Sequence, residues 1–236
     1  MIVIVASRWD RTAKACASRW AAHDVEVLTA QDLSVAGWRQ RLSGVDGDTA
    51  IVAGKLAPQN EITGVLTLLP EVSEEELIDI APGDRRYVAA EMTAFLVFWL
   101  SRLKCPVLNR PTPTCLAGPY WRPERWVYVA AQAGIPVQPL CRLAALPRSS
   151  AEPKTLPVPA TVTVIGMRVL GDADPALQRH ARRLADLAQV ELLEVQFSSA
   201  GRDARFVGAH SFPDISGDGP ADAVLEYLRG GPAVRT

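Results

Sequence analysis

The first six residues, Met1-Ile-Val-Ile-Val-Ala6, form a nearly unbroken β-branched apolar run. A strand that is apolar on both faces must be covered on both, which happens in parallel sheets flanked by helices. The next residues fit that demand. Asp10 stands where a helix N-cap belongs, alanines and Trp20 recur at helical spacing from Thr12 to Ala22, and Val25 to Leu28 alternates as a second strand. The opening therefore reads as a βαβ unit and the fold class as α/β.

The same reading carries through the chain. Strands are expected at Ala50–Ala53, Ile62–Leu69 and Pro106–Leu108, a short acidic-started helix at Glu74–Ile80, and a long helix at Arg85–Leu103 with Val88, Met92, Phe95, Leu96, Trp99 and Leu103 as its apolar positions. Cys105-Pro106 ends that helix, and Asn109 to Pro113 is a stiff loop. Glu124 to Ala133 is a helix stopped by Gly134, followed by extended Ile135–Val137. Residues 146–160 hold four prolines and no periodicity, which marks a linker. Beyond it come a strand at Thr161–Leu170, a helix at Pro175–Ala188, strands at Glu191–Phe197 and Arg205–Ala209, and a closing helix at Ala221–Arg229. The expected division is a parallel-sheet domain over 1–110, a connecting helix and strand over 111–145, the linker over 146–160, and a second α/β core over 161–236.

With 236 residues the chain has room for two modest domains. Its 25 basic and 26 acidic side chains leave a net charge of -1, which excludes a nucleic-acid binder working by bulk charge. No apolar run approaches the roughly 20 residues of a membrane span, and the N-terminus lacks a basic region before its apolar residues. A cytoplasmic protein without membrane or nucleic-acid partners is expected. The cysteines at 16, 105, 115 and 141 form no CxxC pair and read as solitary buried thiols, while His23, His180 and His210 are too scattered for paired metal ligands. No metal site is expected from them. The phosphate loops GxxxxGK[ST] and GxGxxG do not follow the first strand, and the GxSxG elbow, HExxH and the kinase set are missing. Asp46-Gly47-Asp48 reads as a polar turn rather than a calcium loop, and Ser216 to Gly219 as a loop and cap.

Three stretches together resemble the ATP-grasp superfamily, in particular the branch of glutamate-adding ligases of ribosomal protein and graspetide macrocyclising ligases. The first runs from Ile62-Thr-Gly-Val-Leu through Tyr87-Val-Ala-Ala-Glu91 to Cys105-Pro-Val-Leu-Asn109-Arg-Pro111, which looks like the family's "vlNrP". The second is Ala130-Ala-Gln-Ala-Gly134-Ile-Pro-Val. The third comprises Val162 to Val169, which resembles "Rv.vvG.rv", Leu184-Ala to Val195-Gln-Phe, which resembles the helix before "gvDf", and Phe206-Val-Gly-Ala-His210-Ser-Phe-Pro213 against "fLEvNpnP". The resemblance implies a pre-ATP-grasp-like parallel-sheet domain followed by a truncated ATP-grasp-like C-terminal core.

The departures bear on activity. The lysine that usually follows "NrP" is replaced by the neighbourhood Trp121-Arg122-Pro123-Glu124-Arg125, and where the family inserts the subdomain that covers ATP, with a second lysine, about two dozen mostly Pro-rich residues stand between Val137 and Thr161, so the ATP lid is expected to be missing. Where the family offers magnesium a carboxylate and an amide oxygen, this chain has Gly208 and His210. Asp203 and Asp214 lie near enough in sequence to stand in for them.

Several residues are candidates for an anion or partner site, each with a structural alternative. Glu91 pairs with Arg110 or Arg86 to hold the Asn109-Arg110-Pro111 loop, or it binds a ligand. Arg168 is an anion ligand or a solvated surface arginine. His210 is a packed histidine or lines a vestigial cleft. Tyr120, Trp121, Trp126 and Tyr128, with Arg122 and Arg125, cover core or form a partner surface. No catalytic residue is assigned. The favoured reading is a catalytically degenerate ATP-grasp-like accessory protein, with no cofactor, that binds a protein partner or a carboxylate-bearing peptide or small metabolite. The alternative is a minimal Mg-ATP-dependent carboxylate-amine ligase using Arg122, Arg125, Arg168 and Asp203 or Asp214. A third is a homodimeric scaffold.

Overall fold

The computed structural model describes residues 1–41, 47–138 and 160–230. Cys141, Asp46 and the expected linker, apart from Ala160, lie outside the described residues. Strand β1 (Ile2–Val5) is buried along its whole length and pairs in parallel with β2 (Val25–Leu28) and with β5 (Gly64–Thr67), which in turn pairs with β6 (Val107–Leu108). The order β2-β1-β5-β6 is the parallel sheet that the apolar opening required. Helix α1 (Arg11–Arg19) starts at the Asp10 carboxylate, which accepts from the Ala13 amide at 2.9 Å. Helix α2 (Arg85–Arg102) sends Leu96, Trp99 and Leu100 into the core beside Val3, Val5, Val65 and Leu116.

Two local expectations change. Residues 74–80 form only a 3-10 turn at Glu74–Glu76, because the Glu76 side chain turns inward to accept from the Ser7 hydroxyl. Strand β3 (Thr49–Val52) continues into an unforeseen antiparallel partner, β4 (Lys55–Pro58), through a two-residue loop of Ala53 and Gly54, both with positive φ. That loop has the twist a tight hairpin needs, although alanine is an unusual residue to supply it.

The second sheet is antiparallel, in the order β10-β9-β7-β8: β7 (Ala160–Ile165), β8 (Arg168–Leu170), β9 (Leu192–Phe197) and β10 (Phe206–His210). The single strand expected over Thr161–Leu170 is in fact a hairpin. It reverses at Gly166 and Met167, with the glycine first and at φ 55°, as a two-residue loop of that kind requires. Helices α3 (Pro123–Gln132) and α4 (Pro175–Ala188) lie on one face of this sheet. There Trp126, Ala130, Leu177, Ala181 and Leu184 pack with Val162, Val164, Val195, Phe197 and Phe206.

The chain divides into two compact units, one of Met1–Pro119 with the described part of Asp214–Thr236, the other of Tyr120–Pro213. These borders differ from those expected at 110 and 160. Helix α5 (Asp218–Gly230) belongs to the parallel-sheet unit, where the Leu228 backbone lies against Gly64 of β5. Among the described residues no helix is long and apolar enough to cross a membrane.

Candidate functional site

The carboxyl ends of parallel strands are where open α/β sheets present ligand-binding groups. In the first unit that edge gathers Ser7 and Arg8 after β1, Thr67 ending β5, and Asn109 after β6. Glu76 is buried among them at 5% exposure. One of its oxygens accepts from Ser7, the other lies 4.0 Å from the Arg8 guanidinium, and its carbonyl oxygen accepts from Arg8 at 3.5 Å. Turned with its nitrogen donating to the Thr29 hydroxyl, the Gln31 amide accepts from the Arg8 guanidinium through its oxygen. The Arg8 guanidinium also sits 4.8 Å from the ring centroid of Trp9, which is 66% exposed. The Thr67 hydroxyl and one Glu76 oxygen are buried without a hydrogen-bond partner. Sequence reasoning missed this cluster, since Ser7 and Glu76 are 69 residues apart and neither sits in a motif.

Of the residues singled out in this unit, Asn109 and Arg110 hold the backbone. Asn109 is 2% exposed and its amide donates to the Ala117 carbonyl at 3.3 Å. Arg110 donates to the carbonyls of Leu100 (3.2 Å), Leu103 (2.9 Å) and Cys105 (2.9 Å), so a cation caps the end of α2, where free carbonyls and the helix dipole favour one. The expected Glu91–Arg110 pair is therefore replaced by Arg110 on carbonyl oxygens, and Glu91 is exposed on α2. The three described thiols, Cys16, Cys105 and Cys115, are free. Burial pushes Cys16 and Cys105 up to about 11 and raises Cys115, which makes all three poor nucleophiles at neutral pH.

In the second unit the candidates fall on two surfaces. Trp121 and Trp126 stack at 4.6 Å between ring centroids, and the Arg125 guanidinium lies 4.4 Å from the Trp121 ring. Trp126 is buried in the core beneath α3, so this part of the aromatic cluster covers core. Arg122, the N-cap residue of α3, and Arg125 are exposed, as are Tyr120 and Tyr128.

The other surface is the sheet face opposite α3 and α4. Strand register puts Arg168 and Ile165 on it, then Leu170, Thr163, Glu194 and His210, then Thr161, Gln196 and Gly208. His210 Nε2 lies 3.1 Å from Glu194 Oε1, which also accepts from the Gln196 amide at 3.1 Å. The hydrogen bond to Glu194 raises the His210 pKa, burial opposes it, and the Glu194 charge and the Phe212 backbone add to the rise. Arg168 is exposed on the edge strand β8, three strands from His210 on the opposite edge. At about 4.8 Å per strand the two side chains share a face without meeting. Asp203 and Asp214 are exposed, and Asp214 closes a local turn by accepting from the Ser216 amide at 2.9 Å.

No protein-family model and no curated protein matches the sequence. Solved structures do match across nearly its whole length. A macrocyclase, MdnC, bound with precursor peptide MdnA from Microcystis aeruginosa MRC superimposes at a TM-score of 0.64 with 10% identity, over 95% of this chain and 99% of that one. A RiPP-associated ATP-grasp ligase of Chryseobacterium gregarium, in complex with ADP and a leader and core peptide, gives 0.62 and 10%, over 96% of each chain. The ATP-grasp ligase PsnB, complexed with minimal precursor, Mg and ADP, gives 0.61 and 14%, over 97% of this chain and 98% of that one.

The chain has the fold of these ATP-grasp ligases. Within that fold, β10 carries the two positions that the sequence resemblance sets against the family's magnesium ligands, Gly208 and His210. Glu194 is a carboxylate on this face, but it is engaged by His210 and Gln196. Magnesium demands several hard oxygen ligands in near-octahedral array. A glycine and an imidazole at these positions supply no side-chain oxygen, and among the described residues no group of three or more His, Cys, Asp or Glu side chains has metal-binding geometry.

Proposed function

We propose that this protein is an ATP-grasp-fold accessory subunit that binds a peptide for a peptide-modifying biosynthetic enzyme and does not itself make an acyl phosphate. The observation that carries this reading is the β9–β10 ladder, in which Gln196 faces Gly208 and Glu194 faces His210. A ligase active on this scaffold needs oxygen ligands for the ion that neutralises the phosphates during transfer. Here the aligned positions hold no carboxylate, and the neighbouring one is committed to a cross-strand pair. Support for a peptide as the bound partner comes from the matched structures, whose ligases are described with precursor peptides.

The test is ATP turnover by the purified protein in millimolar magnesium, beside thermal unfolding with and without Mg-ATP. The expected outcome is no magnesium-dependent turnover and no magnesium-dependent rise in midpoint. A ligand present at 100 times its dissociation constant would add about 2.7 kcal/mol, which such a scan resolves. Turnover that disappears in Arg168→Ala would instead establish a minimal ligase using the exposed arginines.

A further inference from the structure

Two segments of the parallel-sheet unit wall the outer face of α2 into a groove of about 810 Å3. Its floor is Ala89, Ala90, Thr93, Ala94 and Val97, small or apolar side chains at helical spacing, and its walls are residues 71–75 and the turn of Pro113 and Thr114. Both walls are anchored. The Val72 amide donates to the Thr93 hydroxyl at 3.0 Å, and the Leu116 amide donates to the Pro70 carbonyl at 2.8 Å. A surface helix ordinarily turns a charged stripe to water. The outward stripe of α2 instead runs through exposed Ala90 and Ala94 and half-buried Val97.

The groove is acidic. Glu71, Glu74 and Glu75 line it and are exposed, against one arginine, Arg86. Residues 71–91 as a whole hold seven acids and two arginines, in a chain whose net charge is only -1. A hydrogen bond from the Ser73 side chain holds the Glu75 carboxyl below the usual carboxylate range, so it is ionised at neutral pH. Phosphates, nucleic acids, anionic membranes and a second copy of this face are all repelled by such walls. A metal ion is not complementary to them either, because among the described residues no group of three or more His, Cys, Asp or Glu side chains could hold one. What fits is a ligand with several separate positive charges strung along an apolar body. From Arg86 to Val97 the helix runs about 17 Å, the length of about five extended residues.

We propose that this groove docks an extended peptide segment in which lysine or arginine alternates with small or apolar residues. Alternate side chains of a strand point to opposite sides. One set lies on Ala90, Ala94 and Val97, where no large side chain keeps the peptide backbone away, and the other, turned from the floor, is long enough to reach Glu71, Glu74 and Glu75. This names the site and the chemistry of the peptide in the function proposed above, and it rests on that reading.

Fluorescence anisotropy of labelled decapeptides with the full-length protein tests it. The probes alternate lysine or arginine with leucine or alanine, beside counterparts with glutamate in place of the cation. At least one basic probe should bind with a dissociation constant below about 100 μM at low ionic strength, and its glutamate counterpart should not bind. Glu71→Lys and Glu74→Lys should each weaken binding by about fivefold or more, and so should Ala94→Tyr, which fills the floor without changing its charge. All three positions are exposed, so the variants should fold; if one does not, the others decide. Asp172→Lys, the same charge change on an exposed residue of the other unit, should leave binding unchanged. No binding by any basic probe would overturn the proposal, as would binding that the groove variants leave intact or that Asp172→Lys weakens equally. Failure of the function proposed above shows instead as magnesium-dependent ATP turnover, which peptide anisotropy does not report.

Discussion

His210 is a side chain whose protonation the fold alters through a named partner. Its hydrogen bond to Glu194 raises its folded pKa above the unfolded value of about 6.5. The folded state thus holds the proton more tightly, and the pair's contribution to stability is complete below that value and is lost as pH rises through the folded pKa. Glu194→Gln should lower the His210 titration midpoint, read from its imidazole proton shifts. An unchanged midpoint would mean that the cross-strand pair is not what holds the proton. At Ala53 the backbone is left-handed at φ 50°, which costs a β-carbon roughly 1–2 kcal/mol. Ala53→Gly should recover up to about 1 kcal/mol, because glycine also loses more entropy on folding; urea unfolding measures it. Residue types at this scale were legible in the sequence, and their partners were not. The sequence offers Arg110 a carboxylate at Glu91, but helical rotation leaves Glu91 on the exposed face and the guanidinium finds carbonyls at the helix end. Ser7 and Glu76 meet only because a 3-10 turn folds inward, which no local pattern announces.

Elements were read more securely where one face has to be buried. β1, α1, α2, α3 and α4 follow from apolar spacing and caps, and Asp10, Gly134 and Pro175 stand at the expected ends of α1, α3 and α4. The hairpins were harder. Gly166 was a visible turn residue inside a long apolar run, but Arg168-Val-Leu170 continues the same alternation, and β-propensity alone does not say where a strand reverses. At Ala53-Gly54 the usual Asn-Gly or Asp-Gly signal is lacking, so β4 had no herald. Close packing between elements gives a direct test. A β-carbon on Gly64 would stand 2.6 Å from the Leu228 carbonyl oxygen and 2.9 Å from Leu228 Cβ, with backbone on one side unable to yield. Gly64→Ala should destabilise the protein by about 1–3 kcal/mol through overpacking. A denaturation midpoint equal to wild type would show that α5 does not lie on β5 as described.

For the whole molecule, order along the chain and order in space part company at α5. In chain order the last helix follows the antiparallel strands and is expected on their core, since an amphipathic helix does not state which sheet it will cover. It instead returns to the parallel sheet. There Ala221, Ala223, Val224 and Leu228 are buried and Arg19 pairs with Asp218. Burying a valine or leucine contributes about 1.5–3 kcal/mol, so losing this face removes a large share of the 5–15 kcal/mol that typically holds a domain folded. Removing everything from Asp214 onward should therefore unfold the parallel-sheet unit and spare the other, although the cut lies more than a hundred residues from β1 in sequence. Hydrogen exchange on the shortened protein separates the alternatives. Amides of β1 and β5 should lose protection while those of β7 and β9, whose core lies within Tyr120–Pro213, keep theirs. Protection retained in β1 and β5 would place α5 outside the core of its unit, and protection lost from all four strands would mean that the two units fold as one.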